Sequence, residues 1–109
     1  MQITGKDEMS LNVLKAINNG IKIKDIPKMF PVSIDQAKRL SRFNNMHKKI
    51  KQNLNSKAVL KFELLGLKAL PLSRLFKDED WHGLNEILMI VDENTKRSDL
   101  SKLMKGLDE

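Results

Sequence analysis

Apolar residues return every three or four positions through most of the chain, the period of helices that bury one face. Leu11, Leu14 and Ile17 mark one face of a first helix, with Ser10 as its candidate N-cap and Asn18, Asn19 and Gly20 as its stop. Ile23, Ile26, Met29 and Phe30 mark a short second helix. Pro27 fits there only in a first turn, where its missing N–H is not needed, and this puts the start near Lys24. Pro31 ends the helix, because the residue before a proline is driven to extended angles. Ser33, with Gln36 three residues on, forms a capping-box pattern at the head of a long third helix. The buried face of that helix would run through Ala37, Leu40, Phe43, Met46 or His47, Ile50 and Leu54, with a break or bend at Asn44 and Asn45.

Ser56 is placed to cap a fourth helix with Val59, Leu60, Leu64 and Leu67 as its core residues. Leu70-Pro71-Leu72 breaks the pattern, and Leu75 and Phe76 close a short turn. Asp78, Glu79 and Asp80 sit where acids favour a helix N-terminus. The helix that follows carries the stripe Trp81, Leu84, Ile87, Leu88 and Val91. After a break at Asn94 and Thr95, a last helix from about Ser98 carries Leu100, Leu103, Met104 and Leu107. Strand signals are poor: there is no Tyr, Val and Thr are few, and alternation is confined to Ile21–Ile23. The prediction is an all-α fold of about six short helices, without internal repeats.

Composition narrows the class. The 109 residues are 40% hydrophobic, enough to build one small core, and no apolar run is long enough to span a membrane. Without cysteine there is no disulfide, thiol nucleophile or thiolate metal site, which fits a reducing cytoplasm. The polar stretch from Met1 to Ser10 does not look like a secretion signal, so a cytoplasmic location is expected. The formal charge of +6 is unevenly spread. Residues 1–57 hold 12 basic and 4 acidic residues, a balance of +8, whereas residues 58–109 hold 8 and 10, a balance of −2. No acid occurs between Asp35 and Glu63, a stretch that carries Lys38, Arg39, Arg42, Lys48, Lys49, Lys51, Lys57 and Lys61. Such segregation attracts polyanions, although a solvated helix face would also account for it.

The run from Gly20 to Leu40 resembles a helix-turn-helix of the homeodomain-like kind, a group that includes resolvases, transposases, phage terminase small subunits and many bacterial regulators. Gly20, Ile26, Phe30, Val32, Ser33, Ala37 and Arg39 match that pattern by type and spacing. The match covers about residues 11–45. It implies that Ile26, Phe30, Val32, Ala37 and Leu40 pack between two helices, and that Ser33 caps a recognition helix entering the major groove. Two positions depart: Pro27 stands where a small alanine is usual and Pro31 where the turn glycine is usual. Proline cannot take positive φ, so the turn into helix three must differ from the common one.

The resemblance implies that Ile34, Asp35, Gln36, Lys38, Arg39 and Arg42 project from the recognition helix. Base readout falls to Gln36, Lys38, Arg39 and Arg42, with glutamine suited to adenine and arginine to guanine. Phosphate contact falls to Lys22, Lys24, Lys28, Ser33, Lys48, Lys49 and Lys51. Asp35 would cap its own helix or accept from cytosine, and Asn44 and Asn45 suit a helix end or base contact equally. His47 reads as an exposed neighbour of the basic stretch, and Trp81 as a core or interface anchor.

The resemblance implies that residues 1–55 form a basic DNA-binding region. Residues 56–109 form a helical region that either completes one core or mediates self-association as a homodimer. Asp78 to Gly83 lacks the twelfth-position glutamate of a calcium loop, since Met89 stands there. Two histidines and no phosphate-loop glycines leave no catalytic constellation, so neither enzyme activity nor a cofactor is expected. The expected function is sequence-specific binding of double-stranded DNA by a small transcriptional regulator, of a phage or plasmid for example. The alternatives are a helical adaptor or inhibitor of a protein partner, and a DNA packaging or segregation protein.

Overall fold

A computed structural model describes residues 3–107. Among them there are helices and turns but no strand, as the periodicity predicts. The α-helices are α1 (Glu8–Asn18), α2 (Ile26–Met29), α3 (Ile34–Asn53), α4 (Ser56–Leu65), α5 (Ser73–Lys77), α6 (Trp81–Ile90) and α7 (Arg97–Leu107). Six of these have five residues or more. A 3₁₀ turn (Ile23–Asp25) leads into α2, and a longer 3₁₀ segment (Gly66–Leu72) joins α4 to α5. None of the described helices is long and apolar enough to cross a membrane.

The punctuation follows local chemistry. Pro27 occupies the first turn of α2, and Phe30 at its end is extended (φ −133°, ψ 150°), as expected before a proline. The Val32 N–H then bonds the Phe30 carbonyl at 2.8 Å, closing a three-residue turn around Pro31. This is how the chain reaches α3 without the glycine turn. Ser33 and Gln36 form the reciprocal cap, with the Gln36 N–H donating to Ser33 Oγ (3.1 Å) and the Ser33 N–H to Gln36 Oε1 (2.8 Å). Two expected caps shift by one to three residues. Asp7, not Ser10, caps α1, and Asn55, not Ser56, caps α4 by accepting from the Ala58 N–H.

α3 is the hub on which α1, α4, α5 and the 3₁₀ segment pack. It does not break at Asn44–Asn45. Asn44 is buried and pairs amide to amide with Asn18 of α1, at 2.9 Å and 3.3 Å in the two directions. The pairing satisfies a polar side chain inside the α1–α3 contact, so the helix continues unbroken to Asn53. The core is one cluster running from Val13 and Ile26 through α3 to Leu100 and Met104, so both halves of the chain contribute to it.

Two helix faces differ from those expected. On α1 the buried residues are Ser10, Val13 and Ala16, whereas Leu11 is 55% exposed and Leu14 and Ile17 are partly buried. Small residues let α1 lie close against α3, and the larger ones flank the contact. On α4 the buried residues are Ala58, Phe62 and Leu65, while Leu60 is 60% and Leu64 41% exposed. Apolar side chains surround this helix, and Phe62 decides the orientation by stacking on Phe43 (centroids 4.9 Å apart) and meeting Phe76 (6.1 Å). The stripe expected on α6 is in place, with Leu84, Ile87, Leu88 and Val91 buried and Trp81 set edge-on against Phe76.

Asp7 ties the N-terminal segment to α1. Burial works against ionisation of its carboxylate, but hydrogen bonds from the Ser10 hydroxyl and from the N–H groups of Thr4 and Ser10 outweigh it. Its pKa falls from 3.8 to about 2. A carboxylate that ionises more readily in the folded state stabilises fully above its unfolded pKa, and that contribution drains away as pH drops from 3.8 towards about 2. Asp7→Ala is expected to cost about 1 kcal/mol at neutral pH, as the loss of an N-cap does. The gap between variant and wild type in urea unfolding should close across that acidic window, and a gap independent of pH would refute the assignment.

Candidate nucleic-acid interface

Lys38, Arg42, Asn45 and Lys49 follow one another at intervals of four, three and four residues, so they stand in one stripe on α3. The stripe takes in twelve residues, and its eleven rises of 1.5 Å make it about 16 Å long. All four side chains are exposed, and α5 lies alongside them. Between the two helices runs an open groove of about 490 Å³, lined on the α3 side by Lys38, Ser41, Arg42, Asn45, Met46 and Lys49 and on the α5 side by Ser73, Phe76 and Lys77. Four cations therefore face the groove, and its lining holds no carboxylate. Among the described residues none of the four is held in an ion pair. Beyond Lys49 and Phe76 a smaller hollow adds Gln52, Asn53, Glu79 and Trp81, so the first acid appears only there.

The site residues expected from sequence separate into groups. Lys38, Arg42 and Lys49 come together in the groove. Arg39 is exposed near the head of α3 but outside the groove lining, and Lys48 is exposed on the flank of the helix. Gln36 is committed to the cap, so a base contact through its side-chain oxygen competes with the Ser33 N–H. Ser33 Oγ accepts the cap bond and retains its O–H to donate. Lys22 and Lys24 are exposed at the 3₁₀ turn before α2, and Lys28 is exposed 3.5 Å from Asp25. Lys51 lines a different hollow, with Leu54, Ser56, Val59 and Leu60. Of the remaining basic stretch, Lys61 turns away to donate to the Val91 carbonyl at the end of α6 (2.8 Å).

Ser41, Ser73 and Lys77 also line the groove and are not singled out by the sequence. No sequence signal marks Lys77, because it reaches α3 only through the packing of α5. His47 is not an exposed neighbour of the basic stretch. It is partly buried beside the stacked pair of Phe43 and Phe62, with its ring centroid 6.0 Å from each, and its Nε2 lies 2.8 Å from Glu63 Oε1. His82 pairs with Glu86 along α6 (3.0 Å), and Asp80 caps α6 by accepting from the Gly83 N–H (3.0 Å). Among the described residues no three His, Asp or Glu side chains converge as a metal site. Comparison with protein families, curated proteins and solved structures returned no match to this chain.

Proposed function

We propose that the protein binds double-stranded DNA sequence-specifically and without catalysis, acting as a small transcriptional regulator. The observation that carries this reading is the exposed, acid-free basic stripe of α3 and the groove beside it. A helix face meant only for solubility gains nothing from excluding acids, whereas a polyanion is attracted by the summed field. The packing implied by the helix-turn-helix resemblance supports the same reading. Ile26, Val32, Ala37 and Leu40 are buried in the common core, and Phe30 packs partly buried against that core. Within this reading Asp35 and Arg39, exposed on the first turns of α3, face the base edges. Self-association through residues 56–109 rests on Leu60 and Leu64, which stand exposed on α4.

The test is titration of a fluorescent duplex selected from a random pool, at two salt concentrations. Salt-sensitive binding with enrichment of one sequence is expected. Arg39→Ala should weaken binding to that sequence by about 1–3 kcal/mol and relax the preference at one base position. A wild-type protein that binds no duplex at low salt refutes the reading and turns attention to a protein partner.

A further inference from the structure

We propose that the groove between α3 and α5 seats the sugar-phosphate backbone of one strand of the bound duplex, with Lys77 opposite Arg42 and Lys49 as its phosphate contacts. The inference rests on the DNA-binding reading and assigns that reading a backbone site which the sequence divides between distant segments.

An α-helix with its side chains is about 10–12 Å across and the major groove of B-DNA about 12 Å wide, so a helix enters base-reading depth only where nothing is packed beside its leading face. On α3 that condition fails along the stripe. Ser73, Phe76 and Lys77 of α5 line the same groove as Lys38, Arg42, Asn45 and Lys49. The head of α3, where Asp35 and Arg39 are exposed outside the groove lining, carries no such neighbour from α5. α3 is thereby divided, with its first turns open to base edges and its later turns confined to what can enter a cleft from outside.

The lining chemistry fits a backbone strand. Cations approach from both walls, Arg42 and Lys49 from α3 and Lys77 from α5, and no carboxylate opposes them. Ser41, Asn45 and Ser73 add neutral donors of the kind that supplement lysine and arginine on phosphate oxygens. Phe76 and Met46, both buried, complete the lining with apolar surface. Arg42 consequently serves position and affinity, not base choice.

Salt titration of Lys77→Ala, Lys49→Ala and Arg42→Ala against a mixed-sequence duplex about two helical turns long tests the assignment. Lys102→Ala, an exposed lysine of α7 outside the groove, serves as a control for net charge. Each groove variant should lower the slope of log affinity against log salt by about one, and the Lys49–Lys77 double variant by about two. Sequence preference should be unchanged in Arg42→Ala. The control should keep the wild-type slope. The groove assignment is overturned if wild type binds with salt sensitivity while Lys77→Ala keeps the full slope, or if Arg42→Ala relaxes a base position. Absence of wild-type binding overturns the DNA reading and the groove together, so the two failures are separable. Circular dichroism of each variant verifies that the exposed substitutions leave the fold intact.

Discussion

Phe62→Ala is expected to destabilise the protein by about 3–5 kcal/mol, the range for truncating a buried aromatic residue. The ring is fully buried, stacked 4.9 Å from Phe43 and 6.1 Å from Phe76, so its removal opens a cavity at the point where α3, α4 and α5 meet. A small domain has on the order of 5–15 kcal/mol of stability in all, so the variant would sit near the edge of folding. Phe62→Leu, which keeps most of the volume, should lie between the two and remain measurable. Leu60→Ala, two residues away on the same helix, should change stability by no more than about 0.5 kcal/mol, since its side chain is 60% exposed. Urea unfolding followed by Trp81 fluorescence reports on all three, because the indole meets Phe76 edge-on at 5.7 Å. Equal losses at Phe62 and Leu60 would mean that α4 presents a different face to α3, and the α3–α5 groove would then need redrawing.

That contrast marks how far the sequence is legible. Helix ends are set by a few residues acting locally, so the Ser33–Gln36 cap, the stop at Pro31 and the start of α6 after the acidic run can all be read directly. The buried stripe of α3 is equally legible because its polar positions exclude every other face. α4 is not, because Ala58, Val59, Leu60, Phe62, Leu64 and Leu65 leave two faces equally apolar and a partner ring decides between them. Asn44 misleads for a related reason. An asparagine in a helix reads as a break until its amide partner, Asn18, is brought beside it from 26 residues away. The candidate site divides in the same manner. The α3 wall, with Lys38, Arg42 and Lys49, follows from periodicity and charge. The α5 wall depends on a tertiary contact across a 3₁₀ segment containing Pro71, which no local pattern specifies.

Gly66→Ala is expected to cost about 2–4 kcal/mol, combining backbone strain with overpacking. Gly66 ends α4 at φ 60° and ψ −139°, a conformation that side chains disfavour. A Cβ there would also be driven into the carbonyl oxygen of Thr4. That oxygen cannot simply move aside, because it accepts the Leu67 N–H at 2.8 Å. Gly5 faces the same place, so two glycines allow two backbones to touch. The contact fastens the N-terminal segment across the end of α4, where Lys6 Nζ also donates to the Leu64 carbonyl at 2.8 Å. Through Asp7 the same segment orients α1, and α1 supports α3. Gly106→Ala supplies the contrast, since Gly106 lies in α7 with nothing within 4 Å of the added methyl. There alanine should be neutral or stabilise by up to about 1 kcal/mol through helix propensity. Urea midpoints for the two variants should therefore move in opposite directions, or only Gly66→Ala should move. A Gly66→Ala protein as stable as wild type would show that the Thr4–Leu67 contact does not hold the N-terminal segment in place.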